Sequence, residues 1–412
     1  MTRSFNLRSV HLIPSSLDRN VASVLVLNLI WTIPWGLVQP FISPYFFELS
    51  NGDYFLTGLL NGLPFISMIF SIFIFGWIVD KIGPKAMMLT GFLIFLVFFL
   101  TVIVISDPLL FFIDYVVINS LLACFSPAVL KYASLTNKED IFGSLVASTS
   151  LGYFFGTVVS GFLYEPLGMN ILFFLSLGAC ILGLIISFFS HDLRESPPKE
   201  LSENNPHLNT STPLSTISLL FSKKILVVIF LIAILHGFQS GFSAMFVSIY
   251  FLDELHTPAL LIGIVFGTAT LTGTIASHYA GKIGEKRGFK EILIVCYIGY
   301  LFVWGSFILS PNNYILPAIT YTWPVYVGIL IAGPALVADH ISESKRGTFM
   351  GIFGASQNLG YALGSTLGGM FAGLQETFRF NFWISAFFSL IMIVISIFFV
   401  KNGKKEDIQS FK

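Results

Sequence analysis

Long apolar runs divided by short polar segments recur along the whole chain, and they restrict its fold more than any other feature of the sequence. A helix needs about 20 apolar residues to cross the hydrocarbon core of a bilayer. Runs of this kind cover residues 21–47, 55–79, 86–105, 109–130, 141–164, 170–190, 224–251, 258–280, 291–309, 314–338, 348–374 and 380–400. The sequence therefore predicts an all-α polytopic membrane protein with twelve transmembrane helices, which we number spans 1 to 12 in chain order.

The charged residues are scarce and balanced in sign. They make up 11% of the chain, against about 25% in a soluble protein. This composition excludes a soluble enzyme, a disordered chain and a secreted disulfide scaffold. Lys and Arg number 22 and Asp and Glu also number 22, so the chain lacks the basic excess of a nucleic-acid-binding protein. The expected partners are a lipid bilayer and a small-molecule substrate, and we expect a monomer.

The basic residues orient the spans. When the N-terminus is placed in the cytoplasm, all but one of the 22 Lys and Arg residues fall on the cytoplasmic side, and the exception is Arg379. Cytoplasmic loops of membrane proteins are enriched in these residues. We therefore predict a multi-pass plasma-membrane protein with both termini in the cytoplasm. The polar stretch 191–222 is predicted to link a six-helix bundle at 1–190 to a second at 223–412.

The two halves of the chain repeat each other. The segments after spans 2 and 8 share an acid, a Lys and three other positions at an offset of 205 residues: Gly76, Asp80, Lys81, Gly83 and Lys85, then Gly281, Glu285, Lys286, Gly288 and Lys290. Spans 5 and 11 repeat at an offset of 208, with Gly152 and Gly156 matched by Gly360 and Gly364. Internal repeats of this kind are typical of transporters that work by alternating access.

At these positions the chain resembles the major facilitator superfamily of secondary transporters. The loop after span 2 is similar to the family signature Gly-x-x-x-Asp-Arg/Lys-x-Gly-Arg-Lys/Arg, with Pro84 in place of an Arg. The resemblance implies two pseudo-symmetric six-helix bundles around a central cavity. It also implies that the ten repeated loop residues form a conformational latch, in which Asp80 docks against span 11. We expect Gly83 to allow a tight turn and Gly76 to allow a close helix contact.

The repeated glycines have two interpretations. Gly152 and Gly156 share one face of span 5, and Gly360 and Gly364 share one face of span 11. Small residues at this spacing let membrane helices pack closely. The same stretch of span 5 also resembles the family's antiporter signature, from which Thr157 and Ser160 depart.

Two ionisable residues within the spans are candidates for proton coupling. Asp114 lies near the outer end of span 4, where it either faces an aqueous cavity or remains hydrated at the interface. His236 lies near the middle of span 7 and is either a cavity-facing group or an interhelical hydrogen-bonding group.

Polar and aromatic side chains within the spans supply the candidate substrate-binding residues. They are Asn28, Trp31, Trp35 and Gln39 in span 1, His236, Gln239 and Ser243 in span 7, Trp323 and Tyr326 in span 10, and Asn358 and Tyr361 in span 11. The resemblance implies that several of them meet the substrate. Aromatic rings with a few amides suit neutral or hydrophobic cationic solutes.

We interpret the chain as a secondary active transporter, with proton-coupled efflux of hydrophobic or cationic small molecules as the first hypothesis. Uptake of a sugar or another neutral metabolite is the alternative. An enzyme is disfavoured because the sequence has no HExxH motif and no Gly-rich phosphate loop. No catalytic residue, metal site or cofactor is predicted. A channel or receptor does not account for the repeated cytoplasmic loops.

Overall fold

The computed structural model describes residues 19–135, 141–190, 223–341 and 343–401, and every regular element in these ranges is helical. The predicted linker at 191–222 lies outside the described residues. Among the described helices, nine are long and apolar enough to cross a membrane. One of these nine helices has 49 residues and covers predicted spans 5 and 6. The two predicted spans outside the nine are span 10, which is a broken helix, and span 11, which is less apolar.

The first half of the chain forms six helices: α1 Arg19–Leu49, α2 Tyr54–Ile82, α3 Pro84–Val104, α4 Pro108–Leu122, α5 Phe125–Ser134 and α6 Ile141–Phe189. Predicted span 4 is divided into α4 and α5, because Pro127 has no N–H to donate to the carbonyl of Ala123. α6 covers predicted spans 5 and 6, and Gly168, at a φ of 72°, marks the turn between them.

The second half forms seven helices: α7 Lys224–Ser243, α8 Ala259–Arg287, α9 Phe289–Leu309, α10 Ile315–Tyr321, α11 Gly333–His340, α12 Glu343–Gln375 and α13 Arg379–Phe399. α7 continues through a 3-10 turn and a π-helical turn at Tyr250–Glu254. Predicted span 10 is not one continuous helix. It is broken around Pro324, whose ring and missing N–H interrupt the helix, and it resumes with a π-helical turn at Gly328–Ala332.

The chain divides into two compact units. The first unit contains the described residues of Met1–Pro40 and Phe70–Glu195. The second contains Phe41–Ile69 and the described residues of Ser196–Lys412, so the ends of α1 and α2 that meet at their connecting turn belong with the helices of the second half. The boundaries of these units differ from those of the two sequence repeats. The predicted division into six-helix bundles at 1–190 and 223–412 therefore stays a prediction.

Each unit has an aromatic core. In the first unit, the ring of Trp31 stacks on Phe125 with centroids 3.7 Å apart, and Phe92 meets it edge-on at 5.4 Å. In the second unit, Phe307 and Phe382 lie 4.5 Å apart and Trp304 stacks on Phe382 at 5.8 Å. The edge-on arrangement of Trp31 and Phe92 is one that aromatic quadrupoles favour.

Glycines bring two pairs of helices into backbone contact. In the first unit, a Cβ on Gly156 of α6 would lie 2.8 Å from Gly36 Cα of α1. In the second unit, a Cβ on Gly364 of α12 would meet the carbonyl of Phe238 of α7, and one on Gly360 would lie 2.8 Å from the Phe238 amide nitrogen. Only glycine permits these approaches, so both helix pairs depend on it.

A second face of α12 contacts the N-terminal part of α2, within the second unit. The hydroxyl of Ser365 donates to the carbonyl oxygen of Gly58 at 3.1 Å. A Cβ on Gly369 would lie 2.8 Å from Gly58 Cα, and one on Gly62 would lie 2.9 Å from the carbonyl oxygen of Ala362. α12 therefore uses small residues on two faces, one against α7 and one against α2.

Replacing Gly364 by Ala tests the contact between α7 and α12. The new methyl group has no room against the backbone of Phe238, so the substitution should destabilise the protein by about 1–3 kcal/mol. Thermal unfolding of the purified protein in detergent measures the change.

Gly354→Ala on the same helix is the matched control. Nothing lies within 4 Å of the position that its Cβ would take, and Ala favours a helix over Gly by about 1 kcal/mol. The control should be neutral or stabilising. Equal effects of the two substitutions would contradict the packing.

Candidate functional site

The repeated loops turn at matching glycines. Gly83 has a φ of 89° and Gly288 a φ of 104°, a conformation that residues with a Cβ rarely adopt. Each is followed directly by a helix, α3 at Pro84 and α9 at Phe289. The two turns between spans 2 and 3 and between spans 8 and 9 are thus built alike, as the repeat predicts.

The charged residues of the first loop lie within the first unit. Asp80 forms an ion pair with Lys131 of α5, with Oδ1 and Nζ 2.7 Å apart. Lys81 places its ammonium 3.6 Å from the ring centroid of Trp77, a cation–π contact. Within this unit the Asp80 carboxylate therefore meets the end of span 4, and its docking against span 11 stays a prediction.

Two lysines of the repeated loops cap helix ends. Lys85 Nζ donates to the carbonyl oxygens of Phe188 at 2.9 Å and Ser190 at 2.7 Å, at the end of α6. Lys290 Nζ donates to the carbonyl oxygen of Ile397 at 2.7 Å, at the end of α13. Carbonyls in the last turn of a helix lack intrahelical partners and attract cations. Each lysine thus ties the third span of its half to the sixth.

The structure shows no close helix contact at Gly76 within the ranges it describes. No described atom lies within 4 Å of a Cβ built on Gly76 or on Gly281. Glu285 and Lys286 of the second loop are exposed. The repeated loops therefore share their turn and their capping lysine, while the described ion pair belongs to the first loop.

The four candidate residues of span 1 differ in exposure. The amide nitrogen of Asn28 donates to the carbonyl oxygen of Leu145 and to the hydroxyls of Ser148 and Thr149 at 2.7–3.0 Å, all on α6. Trp31 is 8% exposed within the aromatic core. Trp35 and Gln39 are partly exposed. Asn28 and Trp31 thus hold helices together in this structure, and Trp35 and Gln39 present accessible surface.

Asp114 lies at the contact between α4 and α3. Its Oδ2 accepts a hydrogen bond from the hydroxyl of Thr101 at 2.9 Å, and the side chain is partly buried. Leu110 and Val117, one turn away on either side along α4, are more than half exposed. The carboxylate is thus held by one hydroxyl on an otherwise apolar surface.

His236, Gln239 and Ser243 are all buried in the second unit. Gln239 Oε1 accepts from the hydroxyl of Ser389 at 2.9 Å, and Ser243 donates to the carbonyl oxygen of Asn381 at 2.8 Å. These bonds join α7 to α13. The Gln239 and Ser243 side chains therefore serve helix packing here, as polar groups between membrane helices often do.

The imidazole of His236 lies among aromatic rings. Its ring centroid is 6.0 Å from that of Tyr297 and 5.6 Å from that of Tyr300, both on α9, and the residue is 1% exposed. Within the described ranges Nδ1 has no hydrogen-bond partner. A charged imidazolium in such surroundings is costly without an acidic partner, so the arrangement favours a neutral ring.

A cluster of polar side chains, which we call the tyrosine network, lies where α9, α7 and α12 meet. Tyr300 and Tyr361 lie beside Ser240, and Tyr361 also lies beside Gln357. Tyr300 and Ser240 are buried, whereas Tyr361 and Gln357 are partly exposed. The ring of Tyr361 stacks on Phe65 of α2 with centroids 4.8 Å apart. The tyrosine network therefore runs from the interior of the second unit to an accessible aromatic surface.

The other predicted residues lie near this network or beside the break in span 10. Asn358 is partly exposed on α12. Trp323 is 42% exposed at the break, and the Tyr326 hydroxyl lies against Gly273 of α8. Irregular or broken membrane helices often line binding sites. We therefore take the partly exposed Tyr361, Gln357 and their surroundings as the candidate substrate site.

Tyr300 and Tyr297 were not among the residues selected from the sequence. They belong to an aromatic stripe on span 9 with Trp304, at spacings of three and four residues, which is the spacing of one helix face. That stripe could have indicated an interior contact. The contact of Tyr300 with His236 could not be predicted, because it depends on how α9 packs against α7.

The helices, the repeated loops and the glycine-packed helix pairs define a multi-pass membrane transporter fold. The family profile described as Major Facilitator Superfamily matches residues 24–333 and, in a second alignment, residues 229–411. The chain therefore belongs to the Major Facilitator Superfamily, and its twelve spans are those of that fold.

Relatives and solved structures agree with this assignment. The multidrug resistance protein MdtG of Proteus mirabilis is 22% identical over 380 residues, covering 88% of this chain and 92% of that protein. The proton-coupled antiporter flippase LtaA of Staphylococcus epidermidis is 22% identical over 393 residues, covering 90% and 96%. The crystal structure of the nucleoside transporter NupG superposes with a TM-score of 0.74 at 14% identity, covering 92% of this chain and 98% of that one.

Other relatives match over a shorter stretch. The chain spans between 36% and 57% of the length of four further curated relatives, which are 26–30% identical. The similarity to NupG, at 14% identity, concerns the fold alone.

Replacing Lys85 by Met tests the capping of α6. The substitution removes two hydrogen bonds to terminal carbonyls and keeps the aliphatic stem, so the free energy of unfolding should fall by about 1 kcal/mol. Thermal unfolding in detergent measures the loss, and Lys290→Met should lower stability in the same direction through α13.

Lys282→Met is the control, because Lys282 is an exposed residue of α8 that precedes the turn at Gly288. Its replacement should leave the unfolding temperature unchanged. A loss of stability at Lys282 as large as at Lys85 would attribute the effect to charge alone.

Proposed function

We propose that this protein is a secondary active transporter that exports hydrophobic or cationic small molecules in exchange for protons, by alternating access. The observation that carries the proposal is the accessible end of the tyrosine network. Tyr361, Gln357 and Phe65 offer two ring faces and an amide, without an ionised group among them. Such a surface suits solutes with apolar faces, and its rings also attract cations.

The names of two relatives support this choice. MdtG is a multidrug resistance protein and LtaA is a proton-coupled antiporter, and both align with most of this chain. We place the protein in the plasma membrane with both termini in the cytoplasm, as the distribution of Lys and Arg predicts. We also propose that it acts as a monomer.

Asp114 is our candidate proton carrier. A partly buried carboxylate within a span is costly when charged and is neutralised when it binds a proton. Thr101 leaves one carboxylate oxygen of Asp114 without a described hydrogen bond. His236 is the weaker candidate because its buried ring lies against tyrosines and has no acidic contact among the described residues.

The repeated loops are proposed to act as a conformational latch. The pair between Asp80 and Lys131 is at the protein surface, with 69% of the Asp80 side chain exposed. Surface ion pairs contribute about 1 kcal/mol or less. A contact of that strength can be made and broken during each transport cycle.

Uptake of a neutral metabolite is the second candidate function. The hydroxyl and amide groups of Tyr361 and Gln357 can hydrogen-bond to an uncharged polar solute. Flux that saturates with the metabolite and needs no exchange for protons would favour this candidate.

Asp114→Asn tests the proton-coupled reaction. In proteoliposomes that contain the wild-type protein, a pH gradient should drive saturable transport of ethidium, and the gradient should have no effect on the variant. Amide and carboxylate have nearly the same size, and the amide can still accept the Thr101 hydrogen bond. The variant should therefore fold and still bind the dye.

Asp107→Asn is the matched control on the same helix. Asp107 caps α4 by accepting from the amide of Leu110 at 2.8 Å, and Asn caps a helix about as well as Asp. The control should retain the response to the pH gradient. Wild-type flux that does not respond to the gradient would contradict proton coupling.

A further inference from the structure

α3 and α4 share an exposed apolar face near the turn that joins them. Val97, Leu100 and Val104 on α3, and Leu110 and Val117 on α4, are each between 43% and 78% exposed. Lipid tails are as apolar as leucine side chains, and large exposed apolar patches mark surfaces that contact a membrane or a partner. This face therefore suits the acyl chains of a phospholipid.

Asp114 interrupts the apolar face. It lies one turn from Leu110 and one turn from Val117 along α4. Its Oδ2 accepts a hydrogen bond from the Thr101 hydroxyl of α3 at 2.9 Å. The side chain is partly exposed, and its Oδ1 is not among the buried oxygens. One carboxylate oxygen thus joins the two helices, and the other is accessible at the apolar surface.

The chain supplies no counter-charge for this carboxylate. Residues 86–130, which contain spans 3 and 4, include no Lys, Arg or His. In the described ranges no cationic side chain forms an ion pair with Asp114. A charged carboxylate among apolar groups is costly without a partner. The ionised form is therefore stabilised by a cation from outside the chain.

The depth of Asp114 places it within reach of lipid headgroups. From Pro108 to Ser134, α4 and α5 together rise about 40 Å, which is the thickness of a bilayer with its headgroup regions. Those regions take up about 5–7 Å on each side. Asp114 lies about 9 Å along α4 from Pro108. Its carboxylate is thus a few Å from the boundary between headgroups and hydrocarbon.

We propose that Asp114 and the exposed apolar faces of α3 and α4 form a binding site for a phospholipid with a primary ammonium headgroup. The acyl chains lie along the apolar face, and the ammonium donates a charge-assisted hydrogen bond to Oδ1 of Asp114.

The accessible carboxylate oxygen selects the headgroup. A primary ammonium combines a positive charge with three N–H donors, as the side chain of lysine does. A choline headgroup has the charge but no N–H donor. A glycerol headgroup leaves the lipid with a net negative charge, which the carboxylate repels. The bound lipid is therefore of the phosphatidylethanolamine type.

This lipid site is separate from the candidate solute site in the second unit. It goes beyond the proposed function, because it does not depend on which solute is carried. It bears on the proposed proton reaction in one respect, since a proton and the lipid ammonium occupy the same carboxylate in turn.

The first experiment measures which lipid the protein retains. The full-length protein in detergent is incubated with equal amounts of phosphatidylethanolamine and phosphatidylcholine of identical acyl chains, and bound lipid is counted by native mass spectrometry. We expect one phosphatidylethanolamine to be retained about fivefold over phosphatidylcholine, the ratio that a partly exposed ion pair gives. In Asp114→Asn the ratio should fall to about one. An unchanged ratio in the variant, or no preference in the wild type, would overturn the site.

Asp107→Asn is the matched control. It removes the same charge from the exposed start of the same helix, away from Thr101. The control should keep the preference for phosphatidylethanolamine. A loss as large as in Asp114→Asn would attribute the preference to net charge and contradict the site.

The second experiment needs no variant, so it decides even if Asp114→Asn does not fold. A ligand that binds the folded protein raises its unfolding temperature. Phosphatidylethanolamine and its N-methyl and N,N-dimethyl forms, which keep an N–H, should stabilise the wild type, and phosphatidylcholine should do so less. Ethanolamine in solution should have no effect. Equal stabilisation by phosphatidylcholine, or by ethanolamine alone, would contradict a lipid ammonium at this site.

The outcomes separate this inference from the proposed function. Retention of phosphatidylethanolamine that needs Asp114, with flux that does not respond to a pH gradient, would contradict proton-coupled export alone. Gradient-driven flux without any lipid preference would contradict the lipid site alone.

Discussion

Backbone contact between glycine-bearing helices is the constraint on which the rest of the structure depends. In the first unit, α1 and α6 meet at Gly36, Gly152 and Gly156, and in the second unit α7 and α12 meet at Gly237, Gly360 and Gly364. Lipid tails are as apolar as leucine, so burial of apolar side chains gives little drive for helices to associate within a bilayer. Close packing and interhelical hydrogen bonds must supply it, and glycine makes the closest packing available.

The polar side chains follow from this contact. Because α7 and α12 touch at their backbones, Ser240 lies beside Tyr361. The same closeness in the first unit lets Asn28 reach three acceptors on α6. In the first unit the side-chain amide of Asn28 is engaged in the packing of α1 against α6. In the second unit Tyr361 remains partly exposed, and this difference is why we place the solute there.

Hydropathy and the repeat predicted most of the fold, because a span must be long and apolar wherever it lies. Hydropathy alone does not show the break in span 10, where the apolar run continues through Pro324 although the helix does not. A helical pattern also does not tell whether Gly76 meets a neighbouring helix, and no described atom lies within 4 Å of a Cβ built there. The turns at Gly83 and Gly288 could be predicted, because their glycines recur in both halves.

The candidate site was harder to predict from the sequence. Polarity within a span identified Asn28 and Tyr361 equally. Asn28, however, hydrogen-bonds to α6, whereas Tyr361 is partly exposed. Tyr300 was missed because its place beside His236 depends on how α9 packs against α7. Lys85 matched the family signature and Lys290 matched Lys85 in the repeat, but their bonds to α6 and α13 appear only when the ends of these helices are placed.

The most direct measurement is a cryo-electron microscopy structure of the protein with ethidium bound. We expect density for the dye against the ring of Tyr361, with Gly364 still in contact with Phe238. Dye bound away from Tyr361, or α7 and α12 separated at their glycines, would contradict our account.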